Sequence, residues 1–373
     1  MPQILSVGTA VPPYCVDQAM ARRFAHSLFA SSFADIGRLL TVFEHSQIEE
    51  RYFCVPTEWF EKPHDVVEKN RLYEEHAVAL AATAIETCLA QAGVAVQDVD
   101  TLLCVSSTGI ATPTIDIHIA NKLGMSPHLH RLPLWGLGCA GGVAGIARAA
   151  EMARAYPGRY VLLVTVELCG LTFIWDDRSK SNLIATSLFS DGAAAVLIAH
   201  EPMRRRGHGR SYGSGTEAIP GHSRSRSLRA GPEIIDCQST RWPGTGDVMG
   251  WQVTEQGLKV VFSRQIPQIV RTKWAPVVKA FIAGEGLGPG DVRRVIAHPG
   301  GLRVIEAYEA AMGWSAEDTA ASRAVLRHYG NMSSATVLFV LAKALADPPP
   351  PGSYGLMTAL GPGFCSELAL LRW

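Results

Sequence analysis

The chain has 373 residues, 47% of them hydrophobic, which is long for one core and suits two domains or two fused halves. Its 34 Lys and Arg residues balance 34 Asp and Glu residues, so the formal net charge is zero. No global field draws the protein to nucleic acid or to an anionic membrane, although a local basic patch for an anionic substrate stays open.

In chain order, "QILSVGTAVPP" predicts a strand and a turn. The opening residues place no basic segment before an apolar core, so no signal peptide is expected. No uninterrupted apolar stretch approaches membrane-spanning length. Residues 74–93 set apolar side chains at helical spacing and stop at Gly93, predicting a helix with a C-terminal glycine. "VDTLLCVSSTG" predicts a short apolar strand ending in a polar turn. "YVLLVTVELCG" and "AAAVLIAHE" are continuous apolar runs of strand length, as in strands covered on both faces. This alternation predicts a layered α/β fold.

Residues 203–250 break the pattern. They are rich in Gly, Ser, Arg and Pro, include the basic run Arg204, Arg205 and Arg206, and predict exposed loops with short edge strands. They divide the chain into a first half, 1–202, and a second, 251–373. "DPPPPG" (347–352) predicts a rigid surface connector. The eight cysteines are scattered, with no CxxC pair and no Cys/His metal spacing, so neither a disulfide framework nor a zinc site is expected. A reduced, cytoplasmic protein is the simplest reading.

The second half weakly repeats the first. In one, strand "TLLCVSSTG" leads through "IDIHIANKLGM" to Cys139 in "GLGCAGG" and a small-residue helix. In the other, strand "RRVIAHPGG" leads through "LRVIEAYEAAMGW" to Asn331 in "YGNMSSATVLFVLAKALA". Helices so apolar belong between two sheets, which puts Cys139 and Asn331 where the halves meet.

Cys139, His298 and Asn331 are the candidate chemistry. A free cysteine is ordinarily a small buried hydrophobe. Glycines around Cys139 allow a sharp turn and close substrate approach, and a helix N-terminus favours a thiolate. His298 closes an apolar strand before Pro-Gly-Gly, either as a turn histidine bonded to backbone or as a donor aimed into a cavity. Asn331 suits an N-cap, and equally suits a donor to a developing oxyanion. Two such donors facing one thiol fit acyl transfer: the thiol takes an acyl group from a thioester while His and Asn hold a carbonyl oxygen as it becomes an enolate.

Five motifs in order, "GLGCAGG", "SLFSDGAAAVLI", "IAHPGG", "YGNMSSATVLFVL" and "LGPGFCSELALLRW", resemble the type III polyketide synthases of the chalcone-synthase superfamily. The resemblance covers nearly the whole chain. It implies a thiolase-like, five-layered αβαβα fold built from two duplicated halves. It implies Cys139 as nucleophile, with His298 and Asn331 as the decarboxylation and oxyanion pair. Phe189 matches a gatekeeper between the CoA tunnel and the cavity. Ser107, Thr108, Cys169, Thr172 and Ser333 match cavity positions, and Gly361, Pro362 and Gly363 match the loop that shapes the cavity wall. The substrates implied are acyl-CoA and malonyl-CoA, with no tightly bound cofactor. The resemblance also implies a homodimer with the loop at Thr112 reaching the partner cavity, and allows acyl hand-over from a fatty-acid synthase.

The departures are informative. Val260 replaces a second gatekeeper phenylalanine, which removes an aromatic wall and opens room for a long starter. Trp251 falls near a position that is glycine in plant members, which reshapes the cavity. Of the basic residues at the CoA mouth, in the stretch before "ERYF", Arg38 keeps one while Thr41 and His45 replace others, and Arg303 after "HPGG" is another candidate phosphate contact, equally readable as a surface-helix residue. "VMGWQVTEQGLKVVFSRQIP" resembles the bacterial branch that makes alkylpyrones and alkylresorcinols from fatty acyl starters. The alternatives are a malonyl-primed naphthalene-type or aromatic-starter synthase, a ketoacyl synthase III-like enzyme, a cysteine hydrolase of thioesters, and a non-catalytic CoA-binding or lipid-binding protein. Thiolase itself would need a second catalytic cysteine, and Cys365 follows the "GPG" turn without a histidine pairing.

Overall fold

The computed structural model describes residues 1–201, 231–263 and 265–373; Arg204, Arg205 and Arg206 lie outside the described residues. The first half runs β1 (Pro2–Ala10), β2 (Tyr14–Asp17), α1 (Gln18–Phe29), α2 (Ile36–Leu39), α3 (Thr41–His45), β3 (Glu50–Phe53), α4 (Val66–Ala92), β4 (Val99–Val105), α5 (Ile115–Leu123), β5 (His130–Leu134), α6 (Gly141–Ala155), β6 (Tyr160–Leu168), α7 (Lys180–Leu188) and β7 (Asp191–His200). The second runs β8 (Glu233–Arg241), β9 (Met249–Thr254), β10 (Gly257–Phe262), α8 (Ile266–Ile269), α9 (Ala275–Gly284), β11 (Val292–Ala297), α10 (Leu302–Met312), α11 (Ala320–Tyr329), α12 (Thr336–Ala346), β12 (Tyr354–Gly361) and β13 (Cys365–Arg372).

Local signals set these elements. The helix expected at 74–93 is the second part of α4, which starts where Asp65 accepts from the Glu68 N–H and ends at Gly93 with φ 62°, a left-handed cap. β4, β6 and β7 are the continuous apolar runs and are buried on both faces.

The duplication is visible in the pairing. In the first half β4 lies parallel to β6, β6 antiparallel to β7, and β7 antiparallel to β1. In the second, β11 lies parallel to β12, β12 antiparallel to β13, and β13 antiparallel to β8. The first half adds β5 at its edge. The two sheets meet at a narrow seam, where β1 and β8 share the register pair Gln3 and Glu233.

α6 and α12 form the middle layer and contact strands of both sheets. One continuous core contains their side chains together with Leu163, Val196, Met357 and Leu371. Glycines let α6 in so close: a Cβ on Gly142 would meet the Ser334 carbonyl and lie 2.5 Å from Val337, and one on Gly145 would lie 2.6 Å from Leu163. α4 and α5 cover the outer face of the first sheet, and α8, α9 and α10 cover that of the second. The result is the five-layered thiolase-like arrangement.

One expectation changes. The segment 203–250, read as a connector, contains β8, which pairs with β13 along its length and opens the second half. Apart from fully buried Ile234 its side chains are only partly buried or exposed, so the sequence lacks the apolar run that marks the other strands.

Candidate active site

Cys139 lies in a single 3-10 turn, Gly138–Ala140, that runs directly into α6. Gly138 adopts φ 47°, and a Cβ there would lie 2.8 Å from the Pro362 ring. Gly361 is held as closely, because a Cβ would meet Ala140 and lie 2.8 Å from the Leu137 carbonyl. The Gly361–Pro362–Gly363 loop therefore packs onto the cysteine turn, and the small residues of both segments are what allow it. Ser107 ties the turn to β4, its Oγ accepting from the Gly138 N–H at 3.1 Å.

Burial pushes the Cys139 thiol up to about 12, with the Glu167 charge adding to the rise and the polar Ser333 and Asn331 side chains pulling the other way. The thiolate expected from a helix N-terminus is thus outweighed by desolvation. Burial also pushes His298 down to about 3. Neutral thiol and neutral imidazole are the favoured forms, which disfavours a resting Cys–His ion pair.

His298 follows β11, its N–H donating to the Thr358 carbonyl at 2.8 Å. Both ring nitrogens are buried, without a hydrogen-bond partner among the described residues. An unsatisfied buried polar group costs about 1–3 kcal/mol, so the imidazole suits a substrate oxygen. The Asn331 Nδ2 donates to the Gly300 carbonyl at 3.2 Å, and its Oδ1 accepts from the Ser333 N–H at 2.9 Å. A Cβ on Gly300 would lie 3.6 Å from the His298 ring. Cys139, Asn331 and His298 are thereby gathered around Gly300 and Ser333, where the two halves meet. Ser333 sits at φ 49°, a left-handed position uncommon for serine.

Glu167, at the end of β6, was not singled out from the sequence. It has no exposure and accepts from the Ser107 N–H (2.9 Å) and the Ser334 hydroxyl (2.7 Å). Burial raises its carboxyl to about 7, against those hydrogen bonds and one from Thr108. Thr108 also accepts from the Leu168 N–H at 2.9 Å. Ser107 ties down the cysteine turn and Thr108 the end of β6, and neither they nor Ser333 line the nearby cavity.

That cavity holds about 630 Å³. Cys169, Thr172, Phe189, Trp251 and Val260 line it together. Its wall extends over an edge-to-face group of Phe24, Phe53, Phe60 and Phe173, which sequence reading missed. The aromatic wall expected to be lost at Val260 is rebuilt. Trp251 pairs across the hairpin with Val260, and Phe262 lies two residues along β10 on the same face. Both rings sit 5.7 Å from the Phe189 ring.

The expected CoA contacts lie elsewhere. Arg38 is exposed and paired with Asp35 at 3.1 Å, Arg303 is exposed on the first turn of α10, and neither lines the cavity. The cavity instead carries Arg23, Lys259 and Arg51. Thr112 is exposed in the β4–α5 loop, near exposed Ile110 and Trp135. Among the described residues, no group of three or more His, Cys, Asp or Glu is placed to hold a metal ion, and no helix is long and apolar enough to cross a membrane.

Residues 1–202 match the family "Chalcone and stilbene synthases, N-terminal domain", and residues 233–373 match its C-terminal domain. A chalcone synthase-like protein of Bacillus subtilis (strain 168) is 42% identical, covering 99% of this chain and 98% of the relative. A 1,3,6,8-tetrahydroxynaphthalene synthase of Streptomyces peucetius subsp. caesius is 34% identical, covering 99% of this chain and 93% of the relative. The crystal structure of the 1,3,6,8-tetrahydroxynaphthalene synthase of Streptomyces coelicolor A3(2) matches with a TM-score of 0.88 at 25% identity, covering 100% of this chain and 99% of that one. The structure of a polyketide synthase from the brown alga Ectocarpus siliculosus matches with a TM-score of 0.86 at 28% identity, covering 100% and 98%. The chain belongs to the chalcone and stilbene synthase family: it is a type III polyketide synthase, an acyltransferase that carries out decarboxylative condensation on CoA thioesters.

Proposed function

We propose that this synthase loads a fatty acyl starter on Cys139, extends it with malonyl-CoA, and cyclises the chain to an alkylpyrone or alkylresorcinol. The Cys139 sulfur attacks the acyl-CoA carbonyl, an S–acyl bond forms, and CoA leaves with the thiol proton. Malonyl-CoA then loses carbon dioxide, and the electron pair of the broken C–C bond becomes an enolate on the thioester oxygen. The unpartnered His298 ring and the Asn331 amide are the donors for that oxygen. The enolate carbon attacks the acyl-enzyme carbonyl, a C–C bond forms, and the Cys139 sulfur departs.

The observation that carries the starter assignment is the cavity, about 630 Å³, walled by Phe24, Phe53, Phe60, Phe173, Trp251 and Val260. A wall so apolar rewards each methylene removed from water by about 0.8 kcal/mol. Mass spectrometry of products from malonyl-CoA with acetyl-, phenylacetyl-, medium-chain and long-chain acyl-CoAs tests it. Long alkyl pyrones or resorcinols are expected. Products from short or aromatic starters alone would overturn the fatty acyl assignment, and free acid alone would indicate a hydrolase.

A second reading is a malonyl-primed naphthalene-type synthase. It is favoured by the 34% identity to a relative named for that product, and the same panel with malonyl-CoA as sole substrate would reveal it. We also propose a homodimer in which the Thr112 loop reaches the partner cavity, with exposed Ile110 and Trp135 beside it. Acyl chains handed over by a fatty-acid synthase are a further route of supply. Sedimentation velocity tests the dimer.

A further inference from the structure

Arg51 on β3 is 1% exposed, and no carboxylate pairs with it among the described residues. A buried charge needs compensation. Here part of it comes from the end of a helix, while the Nε is buried without a partner among the described residues. The Arg51 Nη1 donates to the Thr186 carbonyl at 2.6 Å and to the Phe189 carbonyl at 3.1 Å. Both carbonyls belong to the last turn and C-cap of α7, where the helix dipole is negative and unpaired carbonyls collect. The cation thus holds the backbone of Phe189 itself.

The same strip of chain carries Asn331. The Asn331 N–H donates to the Leu188 carbonyl at 2.9 Å, and the Ser190 N–H donates to the Asn331 carbonyl at 3.0 Å, a parallel bridge centred on Phe189. Gly330, at φ 66°, precedes Asn331 and lies against the Arg51 stem, so a Cβ there would sit 2.8 Å from Arg51 Cγ and 3.0 Å from the Leu188 carbonyl. One side chain therefore touches the segment of Phe189 with its guanidinium and the approach to Asn331 with its stem.

We propose that Arg51 is a positioning residue that keeps the Phe189 gate and Asn331 in register, so that malonyl-CoA decarboxylates only where an acyl-enzyme can trap the enolate. This rests on the roles given above to Phe189 and Asn331. Releasing the end of α7 shifts the gate and the donor together. The enolate then picks up a proton and leaves as acetyl-CoA instead of attacking the acyl carbonyl.

The test compares wild type with Arg51→Lys, which keeps charge and stem but not the fork, and Arg51→Met, which keeps only an apolar stem. Each receives an accepted acyl-CoA starter and carboxyl-labelled malonyl-CoA. The readouts are carbon dioxide released per C–C bond formed, and kcat and KM for malonyl-CoA. Arg51→Met should lower condensation kcat on the order of tenfold or more and raise the release ratio about threefold or more, with Arg51→Lys between. Phe189→Leu should raise the ratio too, and adding Arg51→Lys to it should raise it no further. A fall in kcat at unchanged ratio, or an additive double variant, refutes the positioning role. If Arg51→Met does not fold, Arg51→Lys decides by the same ratio. A wild type that forms no C–C bond refutes the catalytic reading underneath, whereas a condensing wild type with an unaltered Arg51→Lys ratio refutes the positioning role alone.

Discussion

Glu167→Gln makes the cost of the carboxyl beside Cys139 measurable. Glu167 has no exposure, and its oxygens accept from the Ser107 N–H at 2.9 Å and the Ser334 hydroxyl at 2.7 Å. Burial lifts it from an ordinary value of 4.5 to about 7. Between those two values the unfolded chain has lost the proton while the folded chain keeps it, so stability falls as pH rises through the window and levels off above about 7. At ~1.36 kcal/mol per pH unit, the gap is worth roughly 3 kcal/mol. Gln does not titrate, and its amide still offers an acceptor to Ser107 and a donor to the Ser334 oxygen. The variant should therefore gain roughly 3 kcal/mol on the wild type between pH 4.5 and pH 8. For a chain of this length, ~2.1 cal/mol/K per residue converts that to ~4 °C in Tm. Paired thermal melts followed by circular dichroism check it. His298 titrates in both proteins and cancels in the difference. Parallel pH curves that stay within ~1 °C would refute the argument, because the carboxyl would then titrate alike in folded and unfolded chains.

Cys139→Ala should abolish C–C bond formation and leave malonyl-CoA decarboxylation detectable, since His298 and Asn331 remain; a full-length polyketide from this variant would remove Cys139 from the chemistry. Val260→Phe adds a ring to the wall already formed by Phe189, Trp251 and Phe262. It should lower kcat/KM for long acyl-CoAs on the order of tenfold while changing short ones less than about threefold, and equal losses across chain lengths would contradict a chain-binding cavity. Gly361→Ala drives a Cβ into Ala140 and to 2.8 Å from the Leu137 carbonyl. The expected cost is about 1–3 kcal/mol of stability, read by thermal melting, together with slower acyl loading of Cys139; an unchanged melting temperature would mean the loop can yield.

Where the chain repeats itself, the fold and the placing of Cys139 and Asn331 before the two central helices were legible. Strands β4 and β11, each followed by a Gly-flanked polar residue and a helix of small and branched residues, announce the same unit twice, and the pairing order agrees strand for strand. Cys139 and Asn331 then had to lie at the ends of the two central helices. β8 was hidden because it sits at the seam, where one edge has almost no partner strand and its side chains are only half covered. The change at Val260 was read by position alone, and the hairpin supplies rings from Trp251 and Phe262 that no single position reveals.

The charged residues of the site divide along a physical line. Glu167 stands inside "YVLLVTVELCG", and Asp191 opens the strand of "AAAVLIAHE". An acid inside a run that must be covered on both faces is a buried acid, and a buried acid needs donors, so that signal was present. Asp191 meets it with the Cys54 and Gly170 N–H groups at 2.9 and 2.7 Å. Arg51 carries no such mark. "ERYF" alternates, which puts Arg51 on the same face as buried Phe53, but the strand itself shows nothing that would compensate its charge. What buries it is the end of α7 and Gly330, both far along the chain. Its compensation is backbone carbonyl rather than carboxylate, so no acidic partner in the sequence points back to it. A cation neutralised by a helix terminus is therefore invisible until the fold brings the two together, and that is also why its loss should be felt at the gate rather than at the thiol.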